Sequence, residues 1–224
     1  MDFSRQSELF NPTKFEDIPV HIIGCGATGS WVGIQLAKLG VKEFYLYDDD
    51  IIEEHNIPNQ FFPKDSVGKF KADVLGDLIR KFGSNSPEVE ITKAKVTGNE
   101  APKMFGIVFC LVDTMKARKE IFANGIKLNM GVKLYVETRM GLTIGRIYAL
   151  SPVSISQIKA YEGTLYSDEE SEVSACGTSQ SVAPTANLIA SMAVWKLIKF
   201  HNNFEINNEV LIDLQNLNTI CSTF

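Results

Sequence analysis

The chain has 224 residues, 45% of them hydrophobic, and 22 Lys and Arg against 27 Asp and Glu give a net charge of −5. This length suits one sizeable core, so a single domain over residues 1–224 is expected rather than two. Lysines scattered among acids leave no basic stripe for nucleic acid, and no apolar run reaches the roughly 18–20 residues of a membrane helix.

Residues 1–12 lack the apolar run of a signal peptide, so a cytoplasmic protein that partners neither nucleic acid nor membrane is expected. Cys25, Cys110, Cys176 and Cys221 form no CxxC pair, which argues against a structural zinc site.

Pro19-Val20-His21-Ile22-Ile23 reads as a buried strand running into the turn Gly24-Cys25-Gly26-Ala27-Thr28-Gly29. A helix is predicted over about 30–39, where Trp31, Ile34, Gln35 and Lys38 recur at helical spacing and Gly40 offers a stop. In this context Gly24, Gly26 and Gly29 have a mechanism: they permit a tight turn, and the helix N-terminus presents free N–H groups to a phosphate.

Glu43-Phe44-Tyr45-Leu46-Tyr47 is a second strand, and it ends in Asp48-Asp49-Asp50. Asp48 lies about twenty residues after the last glycine, where a carboxylate accepts hydrogen bonds from ribose hydroxyls. The loop 51–68 is long and irregular, a helix is predicted over about 69–82, and a strand over 89–92.

Residues 107–111 form the continuous apolar run of a central parallel strand that leads to Asp113, and 114–128 is helical by pattern. Short strands are predicted at 134–138 and 143–150, joined through Arg139-Met140-Gly141, as an antiparallel addition. Residues 151–184 are the least periodic and hold an acidic run at 167–172 followed by Cys176-Gly177-Thr178. An apolar helix over 185–200 closes the chain together with a strand at 209–213; its Leu188, Ile189, Met192, Trp195 and Leu197 suit either core or interface. The alternation gives an α/β class: a Rossmann-like doubly wound, mainly parallel sheet with late antiparallel strands.

The loop after Asp48 carries more than a dinucleotide fingerprint does. Asp48-Asp49-Asp50, then Asn56, Asn59-Gln60 and Gly68-Lys69-Phe70-Lys71 resemble, in order and nearly in spacing, the ATP site of the ubiquitin-activating (ThiF/MoeB/HesA-type) adenylyltransferase superfamily. The resemblance covers residues 3–150 best. It implies ATP and Mg2+ as cofactors, with Asp48 holding the ribose and the glycine turn lying against the nucleotide. Asn56, Gln60 and Lys71 would contact phosphates, and Asp113, five residues before Arg118, would serve Mg-ATP as the metal residue.

The opening Ser4-Arg5-Gln6 is similar to the family's Ser-Arg-Gln, which makes Arg5 a finger into a neighbouring subunit's site and the active unit a homodimer. Two departures stand out. Asn59 occupies the place where most relatives have an arginine, with Arg139 on a late loop as a possible substitute, and the paired zinc CxxC motifs are absent. Cys176, within a crossover loop of about 151–184, lies where thioester-forming relatives keep a nucleophile. Cys25, inside the glycine turn, reads as a packing residue.

The resemblance implies activation of the C-terminal carboxylate of a ubiquitin-like or sulfur-carrier protein with a Gly-Gly tail. Two other readings stay open: an NAD(P)-dependent oxidoreductase, which the glycine turn and Asp48 fit equally, and a non-catalytic subunit of a heterodimeric activating enzyme.

Overall fold

In the computed structural model, which describes residues 1–83, 86–97, 102–166 and 181–224, strand and helix alternate through the first half of the chain. The order is β1 (Val20–Ile23), α1 (Ala27–Leu39), β2 (Glu43–Tyr47), α2 (Lys71–Phe82), β3 (Glu88–Thr92), β4 (Gly106–Cys110) and α3 (Met115–Ile121). There follow β5 (Val132–Met140), β6 (Ile144–Leu150), α4 (Ile155–Glu162), α5 (Ala183–His201), β7 (Glu209–Asp213) and β8 (Asn218–Ser222).

All eight strands join one sheet in the order β3-β2-β1-β4-β5-β6-β7-β8. The first five pair in parallel and the last four antiparallel, with β5 belonging to both halves. The chain therefore has the Rossmann-like, mostly parallel sheet with late antiparallel strands that its pattern predicts. Strand order reverses between β1 and β4, and ligands of open α/β sheets bind in the crevice outside the strand ends at such a switch point.

Every residue of β1 and of β4 is buried, as central parallel strands covered on both faces must be. One core lies between the sheet and α1, α2 and α5, with Val20, Leu36, Leu75, Ile107, Ile189 and Leu197 at 0% exposure. The opposite face buries a cluster in which Tyr161 of α4 meets Phe122, Tyr135 and Tyr148 at ring-centroid distances of 4.6–5.7 Å. On α5, Ile189 and Leu197 are core, whereas Leu188 and Trp195 remain 39% and 45% exposed. The core reading holds for the face that carries Ile189 and Leu197.

Several boundaries differ from expectation for local reasons. Helix α1 starts at Ala27, inside the glycine turn, with Gly26 as its N-cap and no side-chain cap on its first turn. Helix α2 starts at Lys71, two residues late, because Ile51 and Phe70 bridge and the Lys71 N–H donates to the Asp50 carbonyl. The helix expected over 114–128 runs as α to Ile121 and then as one π turn over Phe122–Ile126. Helix α4 falls in a span that reads as aperiodic, because its 8 residues bury only Ile158 and Tyr161. β8 has no apolar alternation to betray it: four of its 5 residues are exposed.

The N-terminal segment is tied to the far end of α1 and to α5. Phe10 and Phe15 are buried, Phe10 lies 4.7 Å from the His201 ring, and Gln6 Nε2 donates to the Leu39 carbonyl at 2.8 Å.

Candidate active site

The glycine turn after β1 is fixed by sterics. Gly24 has φ +90, and a Cβ there would come within 2.8 Å of the Leu111 carbonyl oxygen. A Cβ on Gly29 would lie 1.9 Å from the Gly24 carbonyl oxygen, so this glycine is obligatory for the turn itself. Gly26 differs: its Cβ would meet only the Gln60 amide nitrogen, at 3.9 Å. The space over Gly26 is bounded by the loop after β2 and not filled by the chain's own core.

Asp48, at the end of β2, anchors this turn. One carboxylate oxygen accepts from the Cys25 N–H at 2.6 Å and the other from the Asp50 N–H at 2.9 Å. Burial raises its pKa above the ordinary carboxylate value, and the two backbone N–H groups and Lys71 act against that rise. Burial, with the neighbouring Asp48 charge, pushes the Cys25 thiol well up, so Cys25 is a packing residue and no nucleophile.

The loop after β2 brings the predicted polar residues together. Asn56 is buried, and its side-chain oxygen accepts from the Glu53 N–H at 3.0 Å in a capping box, so that oxygen holds the turn. Asn59 donates its side-chain NH2 to the Ser181 hydroxyl, and its backbone carbonyl accepts from Trp31 Nε1 at 3.3 Å. Among the described residues, Asn59 Oδ1 and Gln60 Oε1 are buried without a partner. Gln60 Nε2 faces the space over Gly26, where its NH2 can donate to an anion. The Lys71 side chain is only 10% exposed, with Nζ 2.7 Å from Asp50 Oδ2. Asp50 itself is 59% exposed, so the lysine is the buried member of the pair.

Asp113 lies beyond the end of β4 and is exposed. The cap of α3 is Thr114, whose Oγ1 accepts from the Ala117 N–H at 3.3 Å, so the Asp113 carboxylate is not used as a cap. Asp48, Asp49 and Asp50 form the acidic group close enough to share a cation among the described residues, and Asp113 is not a member of it. A metal at Asp113 would therefore depend on substrate oxygens and water for most of its ligands.

Arg139 is on β5, not on a loop, and its guanidinium is engaged. It contacts Glu137 Oε2 at 3.0 Å and donates to the Thr164 carbonyl at 2.7 Å and hydroxyl at 3.0 Å. It does not stand in for the family arginine at Asn59. Arg5 is exposed, next to the residue that is bonded to the C-terminal end of α1. Thirteen helical residues span about 20 Å, so Arg5 is not brought to its own chain's glycine turn. Cys176 lies outside the described residues.

Sequence reasoning missed Glu137, which is fully buried between Arg118 and Arg139, and Ser181 beside Asn59. A lone acid after the apolar run Leu134-Tyr135-Val136 was the available signal for the first. Ser181 had none.

Fold and site together define a Rossmann-like domain whose glycine turn, half-satisfied amides and buried lysine converge at the sheet's switch point. The ThiF family profile matches residues 7–223, and the chain belongs to the ThiF family. It is 33% identical over 91 residues to ubiquitin-like modifier-activating enzyme 5 of Oryza sativa subsp. japonica, covering 41% of this chain and 21% of that protein. Over 79 residues it is 33% identical to tRNA threonylcarbamoyladenosine dehydratase of Escherichia coli K12, covering 35% of this chain and 28% of that protein. The chain thus matches less than a third of the length of either relative. The crystal structure of E. coli MccB with ATP superposes with a TM-score of 0.68 at 20% identity, over 95% of this chain and 65% of that one, and shares the fold.

Proposed function

We propose that the chain is an ATP-dependent adenylyltransferase domain, spanning residues 1–224, that activates the C-terminal carboxylate of a ubiquitin-like or sulfur-carrier protein. The carrying observation is the buried Lys71 ammonium at the start of α2, next to the loop whose Asn59 Oδ1 and Gln60 Oε1 have no partner among the described residues, with Gln60 Nε2 3.9 Å from where a Cβ on Gly26 would lie. A hydride-transfer reading leaves that set unexplained. The names of its relatives support the reading: one activates a ubiquitin-like modifier, and MccB has been crystallised with ATP.

The residues present fit ATP. Gly24, Gly26 and Gly29 with the α1 N-terminus would take the phosphates, and Asp48 the ribose. Asn56, Asn59 and Gln60 would line the loop side with their amides. In the reaction, an oxygen of the substrate carboxylate attacks the α-phosphorus, the bond to the bridging oxygen breaks, and pyrophosphate leaves with that electron pair. An acyl-adenylate remains. Two anions must meet, so a fixed cation at low exposure is what the step needs, and Lys71 supplies it by exchanging Asp50 for phosphate. Mg2+, when bound at Asp113, would offset the charge of the leaving pyrophosphate.

A Gly-Gly tail suits the partner because only glycine passes where Cβ atoms cannot. Arg5, remote from its own site, would act in a second subunit of a homodimer, and Cys176 would accept the activated acyl group in a following transfer. A cytoplasmic setting matches free ATP and reduced thiols.

ATP–pyrophosphate exchange by the purified chain, with magnesium and candidate proteins ending in Gly-Gly, tests the reading. Exchange that needs a partner and is lost in Asp113→Ala is expected. Binding of NAD in place of ATP would overturn it. For the dimer, mixing Arg5→Ala with Asp113→Ala chains should restore part of the exchange, and no rescue in proven mixed dimers would remove Arg5 from the site.

A further inference from the structure

Glu137 is 0% exposed and sits between two guanidiniums, with Arg118 Nε 2.8 Å from Oε1 and Arg139 Nη2 3.0 Å from Oε2. The Arg118 contact is an ion contact without hydrogen-bond alignment, since Nε has no hydrogen-bond partner. The Tyr161 hydroxyl donates to Oε2 at 3.0 Å. Two cations and one anion at this depth cost more to desolvate than an apolar cluster of equal volume, so stability alone does not account for them.

What the cluster does is specify geometry at both of its ends. The remaining nitrogens of Arg118 donate to the carbonyls of Val112, Asp113 and Thr138, the last at 2.9 Å, and so clamp the peptide that carries Asp113 onto β5. Arg139 reaches the other way, to the carbonyl and hydroxyl of Thr164 just past α4, and its guanidinium lies 4.4 Å over the Tyr148 ring. Glu137 is the shared anion that holds both arginines.

We propose that Glu137 is a positioning residue of the adenylation site: through Arg118 it fixes the 112–113 peptide and thereby the Asp113 carboxylate, and through Arg139 it ties that peptide to Thr164. The proposal rests on the ATP reading above. Glu137 touches no reactant; it sets where the metal-bearing carboxylate stands before nucleotide arrives.

The test uses the full chain with ATP and Mn2+, metal affinity being read from the electron paramagnetic resonance of free Mn2+ and ATP affinity without metal by calorimetry in EDTA. Glu137→Gln keeps the shape and removes the charge. It is expected to weaken Mn2+ binding to the ATP-bound chain about tenfold while metal-free ATP affinity stays within about twofold. Glu137→Asp should recover part of the loss. If Glu137→Gln does not fold, Arg118→Lys keeps the charge opposite Glu137 but cannot reach three carbonyls, and the same weakening is expected. Unchanged Mn2+ affinity in a folded variant, with only the melting temperature lowered, would overturn the proposal and leave Glu137 a packing element. A wild-type chain that binds no ATP would overturn the adenylation reading, and this inference with it. A wild type that binds Mn-ATP beside an indifferent variant overturns this inference alone.

Discussion

Around β5 both oxygens of Glu137 are engaged, by Arg118, Arg139 and Tyr161, and the nitrogens of Arg139 are shared between Glu137 and Thr164. Across the sheet, on the loop after β2, Asn59 Oδ1 and Gln60 Oε1 are buried with no donor among the described residues, and Lys71 leans on a mostly exposed aspartate. The two clusters flank the same switch point and treat polar atoms in opposite ways. A charge-paired network specifies one arrangement even where one contact, that of Arg118 Nε, is ionic without hydrogen-bond alignment, whereas buried neutral oxygens left open cost stability until something satisfies them. The first is scaffold; the second, on the adenylation reading proposed above, is what ATP would complete.

The sharpest way to break the comparison is at the turn both clusters depend on. Gly29→Val places a Cβ 1.9 Å from the Gly24 carbonyl and should cost about 4 kcal/mol or more, read as loss of cooperative thermal unfolding. Gly26→Ala should cost only about 1 kcal/mol yet weaken ATP binding, since the space above it is where the proposed function puts the nucleotide. Equal damage from both would erase the distinction between turn and cradle.

His21 offers a control outside either cluster. It is buried on β1, stacked 4.6 Å from Tyr45, and burial pushes its pKa down from 6.5 to about 4. Between those values the unfolded chain binds more protons than the folded one. Stability is therefore fully present above about pH 6.5 and falls as pH drops through the window, by about 3 kcal/mol at its end. Denaturant titrations across that range should show the slope, and His21→Phe, which keeps a ring beside Tyr45, should flatten it.

Lys71→Met should weaken ATP binding by about 2 kcal/mol while changing stability by less than about 1 kcal/mol, because its partner Asp50 is mostly in water. The smallest effect is the most telling in sign. Gln60→Leu removes a buried carbonyl that has no partner and should stabilise the free chain by about 1 kcal/mol while impairing nucleotide binding. A destabilised Gln60→Leu would mean that this amide is already satisfied and belongs with the scaffold.

The parallel half was legible because its signals are local. Continuous apolar runs gave β1 and β4, the glycine spacing marked the turn, and β2 was read to the residue as Glu43–Tyr47. The site residues on the loop after β2 share one stretch of sequence, so their spacing carried the resemblance to ThiF relatives. What was illegible depends on partners distant in sequence. The Arg118–Glu137 pair, the contact of Asn59 with Ser181 and the exposed strand β8 leave no periodic trace. Arg139 was misplaced onto a loop because Arg139-Met140-Gly141 reads as a turn, whereas β5 continues to Met140 through that buried ion cluster.

The aromatic cluster beneath β5 and β6 has an optical consequence. Burial raises the phenols of Tyr135, Tyr148 and Tyr161, as it does that of Tyr47, and the bond from Tyr45 to the Glu43 carboxylate lifts that phenol to about 12. Five of the chain's six tyrosines thus hold their protons past the point at which a free phenol lets go. At moderately alkaline pH the folded chain should be nearly dark in the tyrosinate absorption band and the unfolded chain bright. The protein therefore carries its own label-free reporter of global opening.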